Sequence, residues 1–571
     1  MNDIRRTILW VIFGFSMVLL WDQWQVYNGN KATFFPSPTK AVATAGAPAG
    51  ASSVPSSSVP TSNATTPASS LPGVPTAPAA APAPAAEKIV VLTDQLKVTF
   101  DTQGGSIVRT EFLRQLSDDK KSNMVLLDEA PGHRYVAESG LIGGDFPNHK
   151  TLMTFSGDKE LKDGANQLVA RFESPEKNGV KLVKIYTLRR GAFDIGVRYE
   201  VANTGTSPVT PQVYMQLVRD ATQLNQNSSF LNPTATYTGP AVFTQEKKYQ
   251  KVEFKDIDKG KAETGKAEFL EKANDGYIAM VQHYFASAWI LGDGVPREYF
   301  MRKIDGAQYS AGLISTLPPI AAGATGSLDA KFFAGPQEET KLEVIAPDLE
   351  RVKDYGYFHI IAKPLYWLLA KLHGYIGNWG WSIMALVLLI KIAFYWLQAK
   401  GYQSMAKMKA INPRVMAMRE RFKDKPQEMQ QEMMKIYREE KVNPMGGCLP
   451  IIVQIPVFIA LYWVLLSSVE MRGTPWVGWI HDLSAPDPLY ILPLVMTLTT
   501  LLQTALNPTP PDPMQAKMMW LMPLAFSVMF FFFPAGLVLY WITNNVLSIA
   551  QQWMINTRMG VPPEFNLPKF R

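Results

Sequence analysis

One stretch constrains the chain more than any other: residues 379–397, WGWSIMALVLLIKIAFYWL, nineteen residues with one charge, Lys391. A helix crossing the hydrocarbon core of a bilayer needs about 20 apolar residues, so this run reads as a membrane span. A lysine near the bilayer centre costs about 2.5–3.5 kcal/mol on insertion scales. Such a charge persists where it faces a wet cavity or a partner, or where it snorkels to the lipid surface. Nine residues separate Lys391 from Lys400, about 13 Å at helical rise. That distance favours the cavity. The rest of the chain has to supply one.

The mean hydropathy of −0.03 conceals two unlike halves. The first 350 residues or so are polar and the last 220 or so strongly apolar. A net charge of +7 is modest, and the basic residues cluster beside apolar runs without any nucleic-acid motif, so nucleic acid is not an expected partner. A single cysteine, Cys448, excludes intrachain disulfides and multi-cysteine metal sites. The six histidines (133, 149, 283, 359, 373, 481) show no ligand spacing, so no metal and no cofactor is expected.

Arg5 and Arg6 precede the apolar run 8–21. Small residues that could form a cleavage site come only at 41–45, so residues 1–27 are expected to be an uncleaved anchor with its N-terminus inside. Residues 28–87 are rich in Ala, Pro, Ser and Thr and read as a tether. Over 88–350 the period becomes two. Ile195, Val197, Tyr199 and Val201 alternate with polar residues, as do Leu96, Val98 and Phe100. Turn signals recur at Gly104-Gly105, Asp275-Gly276 and Asp293-Gly294. This predicts one antiparallel β-sandwich, with no catalytic constellation in it. Residues 351–378 predict an amphipathic helix lying in the membrane interface, its Tyr and Trp at headgroup level. A buried helix of the preceding domain is the alternative.

Residues 379–556 carry five apolar runs and a polar insert at 400–445. The insert holds 11 Lys and Arg against 6 Asp and Glu, a balance of +5. Met405, Met408, Val415, Met418 and Phe422 form one stripe, and Met429, Met433, Ile436 and Tyr437 a second. Two helices breaking near Lys425-Pro426 would make a hairpin. Its methionines would either meet an adaptable partner or fill the seam between the helices. The later runs are 449–466, 490–506, 518–533 and 537–553. The basic insert and the basic tail, 557–571, place themselves inside, and the acidic 467–489 connector outside. The expected architecture is a multi-domain membrane protein: an α-helical bundle of six spans, five of them a core, plus an outward β-sandwich.

The spans are polar for their length. Gln454, Thr497, Thr499, Thr500, Gln503, Thr543, Asn544, Asn545, Ser548, Gln551 and Gln552 all lie in them. Many such hydroxyls and amides serve as helix–helix glue worth under about 1 kcal/mol. No Asp or Glu lies deep in the five runs, which argues against an ion-coupled transporter. A carbohydrate-modifying enzyme on an anchor would leave five spans unexplained. Short spans favour local bilayer thinning. Around Lys391, a thin bilayer and a polar cavity would give the acidic tail of a client a low-barrier crossing.

Several motifs then carry a resemblance: NWGWS (378–382), SMAKM (404–408), AMRER (417–421), EMM (432–434) and KVNPMGGC (441–448). To these add WIHDLS (479–484), DPMQ (512–515) and PAGLVLY (534–540). The chain from about 355 to 553 resembles the YidC family of bacterial inner-membrane protein insertases. The resemblance implies no enzyme chemistry and no cofactor. It implies insertion of small membrane proteins alone and of larger ones with the Sec translocon, and an outer domain similar to a sugar-mutarotase-like supersandwich without sugar chemistry. Nascent clients, Sec components and membrane lipids are the implied partners. The ribosome is a further one, though not through the tail, which lacks the long basic extension of some relatives. The implied client groove comprises Lys391, Gln454, Thr497, Thr500, Gln503, Tyr540, Trp541, Asn544 and Asn545. The implied capture hairpin carries Met405, Met408, Met418, Met429 and Met433. Gram-negative relatives place Arg where Lys391 stands. Lys keeps the charge and loses the bidentate fork. A family Thr one turn earlier is Val387, and a Tyr pair is Tyr540-Trp541.

Overall fold

The computed structural model describes residues 86–117, 121–221, 237–264, 269–422, 425–440, 449–507, 513–560 and 565. The expected anchor, all but the end of the tether, the 441–448 motif and most of the tail lie outside the described residues.

Period-two alternation over 88–336 produces two nine-stranded antiparallel sheets. The first begins at the edge with Lys88–Leu92, Leu96–Asp101, Ser106–Leu116, Asn123–Ala130 and His133–Ile142. It continues through Gln212–Asp220, Gln308–Thr316, Arg297–Asp305 and Lys272–Ala273. The second runs Lys248–Lys251, Gly239–Thr244, Tyr277–Gln282, Phe285–Leu291 and Thr325–Pro336. Asp194–Asn203, Val180–Arg189, Gln167–Glu173 and Thr154–Gly157 complete it. The sheets pack face to face through aromatic side chains. Phe112 of the first stacks on Phe285 of the second at 5.2 Å, and Phe100 meets Tyr186 at 4.8 Å. Ile195, Val197, Tyr199 and Val201 are buried, as their alternation requires. A helix, α1 (Phe254–Thr264), covers one flank through Phe254 and Tyr309.

Charged side chains sit inside this sandwich, Lys184 and Arg219 among them. Lys184 is fully buried, and its Nζ donates to Gly104 O at 2.6 Å, Ser139 O at 2.7 Å and Ser139 Oγ at 2.8 Å. Three acceptors match the three donors of an ammonium. Burial nevertheless pulls its pKa from 10.5 down to about 7, with the nearby Glu138 carboxylate opposing the shift.

A short helix, α2 (Glu339–Ile345), leads to α3 (His359–Ile376). A helix forms within the 351–378 segment, with Trp367 and Tyr375 exposed. Tyr366 differs: it is buried, and its hydroxyl donates to Glu470 Oε1 at 2.5 Å. The same carboxylate holds Lys353, whose side chain is 0% exposed, with Nζ 3.1 Å from each oxygen. The Lys353 ammonium also sits 3.9 Å from the Tyr366 ring centroid. Beside them the Tyr355 hydroxyl donates to Glu339, whose carboxyl burial pushes above the usual range against the pull of that bond. These groups fasten the sandwich to the helical half.

The helices after α3 are α4 (Trp379–Ala393), α5 (Tyr395–Arg421), α6 (Pro426–Glu439), α7 (Leu449–Ser467), α8 (Ile491–Leu506), α9 (Pro513–Met529) and α10 (Ala535–Arg558). Asn378 caps α4 by accepting from Trp381 N at 3.2 Å. Gly380 follows because Trp476 packs there: a Cβ would come within 2.2 Å of its ring. The 379–397 run is not one straight helix. It ends at Phe394, and α4 meets α5 at a bend of 69°. Among the described residues no single helix is long and apolar enough to cross a membrane. Only the bent α4–α5 pair reaches that combination. The 15 residues of α4 give about 22 Å at helical rise, against a hydrocarbon core of about 30 Å. The first hairpin helix therefore starts at Tyr395, inside the apolar run, rather than at 400. α10 lies centrally, packed on α4, α5, α7 and α8.

Candidate functional site

Lys391 sits in the last turn of α4 and is 7% exposed. Its Nζ donates to Ser548 Oγ on α10 at 2.7 Å and to Gln398 Oε1 on α5 at 3.5 Å. Ser548 Oγ is itself oriented, because it donates to Asn544 O one turn back at 2.7 Å. Gln454 Nε2 on α7 donates to Asn544 Oδ1 at 2.8 Å. Lys391, Gln398, Gln454 and Asn544, with Tyr540 and the apolar Val387, Ile390, Phe394, Leu397 and Val457, line a narrow cleft with a cavity volume of about 20 Å³. Among the described residues Lys391 forms no ion pair. The cleft thus joins an apolar wall to a cation neutralised by no carboxylate.

Four of the nine expected groove residues line this cleft together: Lys391, Gln454, Tyr540 and Asn544. The others face elsewhere. Asn545, one residue on, points to α8 and donates to Thr500 Oγ1 at 2.9 Å and Thr499 Oγ1 at 3.2 Å. Thr497 returns its hydroxyl to Pro493 O at 2.8 Å. Gln503 does not line the cleft. Trp541 leaves its neighbour Tyr540 and packs on Phe458 at 4.7 Å and Phe530 at 5.0 Å. Val387, where the family pattern has Thr, lines the cleft with an apolar surface. Ser548 was readable as a polar span residue, one turn after Asn544. Gln398 gave no such signal, because it lies at the end of the run and reaches Lys391 only across the bend.

The hairpin of α5 and α6 closes on its own seam. Ile411, Val415, Met418 and Ile436 are buried there, with Met408, Met429 and Met433 packed against them. Met405 lies outside that cluster, and Met416 and Met434 are the exposed methionines. Arg414 ties the two helices by donating to Glu440 and Glu439 at 2.8 Å each.

A β-sandwich fastened to a set of short apolar helices, which hold a buried lysine without an acid partner among the described residues, defines a two-part protein. Comparison with known proteins agrees part by part. Residues 88–368 match the family model of the YidC periplasmic domain, and residues 371–561 match that of the 60Kd inner membrane protein. The chain is 54% identical over 558 residues to the membrane protein insertase YidC of Cupriavidus necator, covering 98% of each. It is 53% identical over 561 residues to that of Ralstonia nicotianae, again covering 98% of each. A crystal structure of an active YidC insertase with its first transmembrane domain resolved matches 82% of this chain and 92% of that one, at 18% identity and a TM-score of 0.38. The chain belongs to the YidC family of membrane protein insertases, and it is an inner-membrane protein that inserts other membrane proteins.

Proposed function

We propose that the cleft around Lys391 receives the hydrophilic tail of a client from the cytoplasm and that the client's apolar segment then leaves sideways into lipid. The buried Lys391 ammonium, held by neutral oxygens and by no acid among the described residues, supports this reading most directly. A carboxylate about 4 Å away gains about 1 kcal/mol in water and about 4 kcal/mol at an effective dielectric of 20. That range brackets the cost of burying the lysine, about 2.5–3.5 kcal/mol. An acidic tail in the cleft thus relieves a charge the protein already carries.

In this reading Gln454, Asn544 and Tyr540 supply hydrogen bonds and ring surface to the client. Thr497, Thr500, Gln503, Trp541 and Asn545 act on the flank of α8 and α10. The hairpin, with Met405, Met408, Met418, Met429 and Met433, captures the client first. The seam methionines become available when the hairpin opens, while Met416 and Met434 are available already. No bond is made or broken, so the protein acts as insertase and chaperone rather than as an enzyme, and needs no cofactor. It is multi-pass, with both termini and the hairpin in the cytoplasm and residues 88–350 in the periplasm. It works alone on small clients and beside the Sec translocon on larger ones, with the ribosome and the surrounding lipids as further partners.

The test is reconstitution of the full chain in liposomes with a single-span client bearing an acidic outer tail. Protease protection of the tail should exceed that of empty liposomes and should fall with Lys391→Glu. Protection unchanged by that substitution would remove the charge from the mechanism.

A further inference from the structure

We propose that Ser548 and Gln398 are positioning residues for Lys391: they fix its ammonium against α10, so that an arriving carboxylate meets a charge already held in place. The inference rests on the client-binding reading of the cleft and goes one step beyond it, to the groups that aim the charge.

An ammonium has three N–H donors, and a flexible four-carbon stem that lets it sample many directions. In the cleft two donors are occupied, by Ser548 Oγ at 2.7 Å and Gln398 Oε1 at 3.5 Å. No third hydrogen bond from this ammonium is seen among the described residues, so one donor is left for an incoming group. The Ser548 hydroxyl spends its hydrogen on Asn544 O at 2.7 Å, and only its lone pairs face the lysine. Gln398 also has one usable orientation, because an ammonium donates only and the amide must offer its oxygen. Both contacts are neutral. They locate the cation without neutralising it, as a carboxylate partner would.

The bend makes this seat possible. Positions seven apart on a straight helix are separated by about 10.5 Å along the axis. Here α4 and α5 turn through 69° between Lys391 and Gln398 and bring the amide to the ammonium. The seat therefore draws on three helices, and Lys391 reaches two of them. A held charge interacts more strongly with its target than a swinging one, because its orientation is settled before the client arrives.

The experiment uses the full chain in liposomes and two single-span clients that differ only in outer-tail charge, one acidic and one neutral. The readout is the ratio of acidic-tail to neutral-tail insertion. Lys391→Met should bring this ratio close to one. Ser548→Ala should lower it by about fivefold, the factor that loss of one hydrogen bond corresponds to. Gln398→Leu should lower it by less, given its longer contact. Ser548→Thr, which restores the hydroxyl, should restore the ratio. A merely structural role for Ser548 would depress both clients together and leave the ratio unmoved, and that result would overturn the proposal. An unmoved ratio in Ser548→Ala beside a collapsed ratio in Lys391→Met would discard the seat and keep the charge. An unmoved ratio in Lys391→Met would discard both.

Discussion

At the scale of single residues, two buried lysines are treated in opposite ways. Lys391, in its cleft, has two donors occupied among the described residues, whereas Lys184 has all three occupied inside the sandwich. Only the first was legible. A charge within an apolar run stands out by itself, while Lys184 sits in a strand whose other polar residues alternate normally. Its burial has a pH consequence. The folded pKa, about 7, lies below the ordinary 10.5, so between these values the unfolded chain holds more protons. Stability contributed by this group therefore rises as pH rises from about 7 to 10.5, and is at its lowest below pH 7. Thermal unfolding of the full chain and of Lys184→Met should show their Tm difference moving toward the wild type across that window. A pH-independent difference would mean that Lys184 is not desolvated as its contacts indicate. Gly380 was legible as part of a motif, but its cause was not. Only the fold brings Trp476 against it.

Whole elements were read more reliably where their signal is local. Period-two runs became strands, and Pro426 opens α6 where a break was expected. The bend at Phe394 escaped, because no Gly or Pro lies between Lys391 and Gln398 to mark it. The inward turn of Tyr366 escaped too, since its partner Glu470 is 104 residues away. That contact belongs to the junction which carries the second prediction. Glu470→Ala would leave the fully buried Lys353 ammonium without its carboxylate, at a cost of about 3–5 kcal/mol. Hydrogen exchange should then quicken in α3 and in the 466–472 segment while the sandwich core stays protected. The paired change Lys353→Met with Glu470→Gln should recover much of the loss, since it removes the stranded charge. Equal damage in both variants would show that packing, not the ion pair, holds the junction.

On the scale of the whole molecule, the division into β-domain and helical half was open to sequence because composition changes sharply between them. The assembly of the cleft was not. Polar residues on one span look alike in a list, and only packing separates Asn544, which lines the cleft, from Asn545, which serves α8. The proposed orientation can be checked with single cysteines in a chain lacking Cys448. Met434→Cys should react with an impermeant maleimide only after the inner membrane is opened, and Asp163→Cys should react in intact spheroplasts. The reverse pattern would invert the topology. The bend has a further consequence, for how the length of such a chain can drift. Arg421, at the far end of α5, stands about 35 Å along the helix from Gln398, and adding or losing a few residues beyond it leaves Lys391 where it is. The eight positions from Lys391 to Gln398 have no such latitude. One inserted residue would swing Gln398 about 100° around its helix axis and turn the entire hairpin arm with it. The stretch with no recognisable breaker is thus the one whose count of residues is fixed.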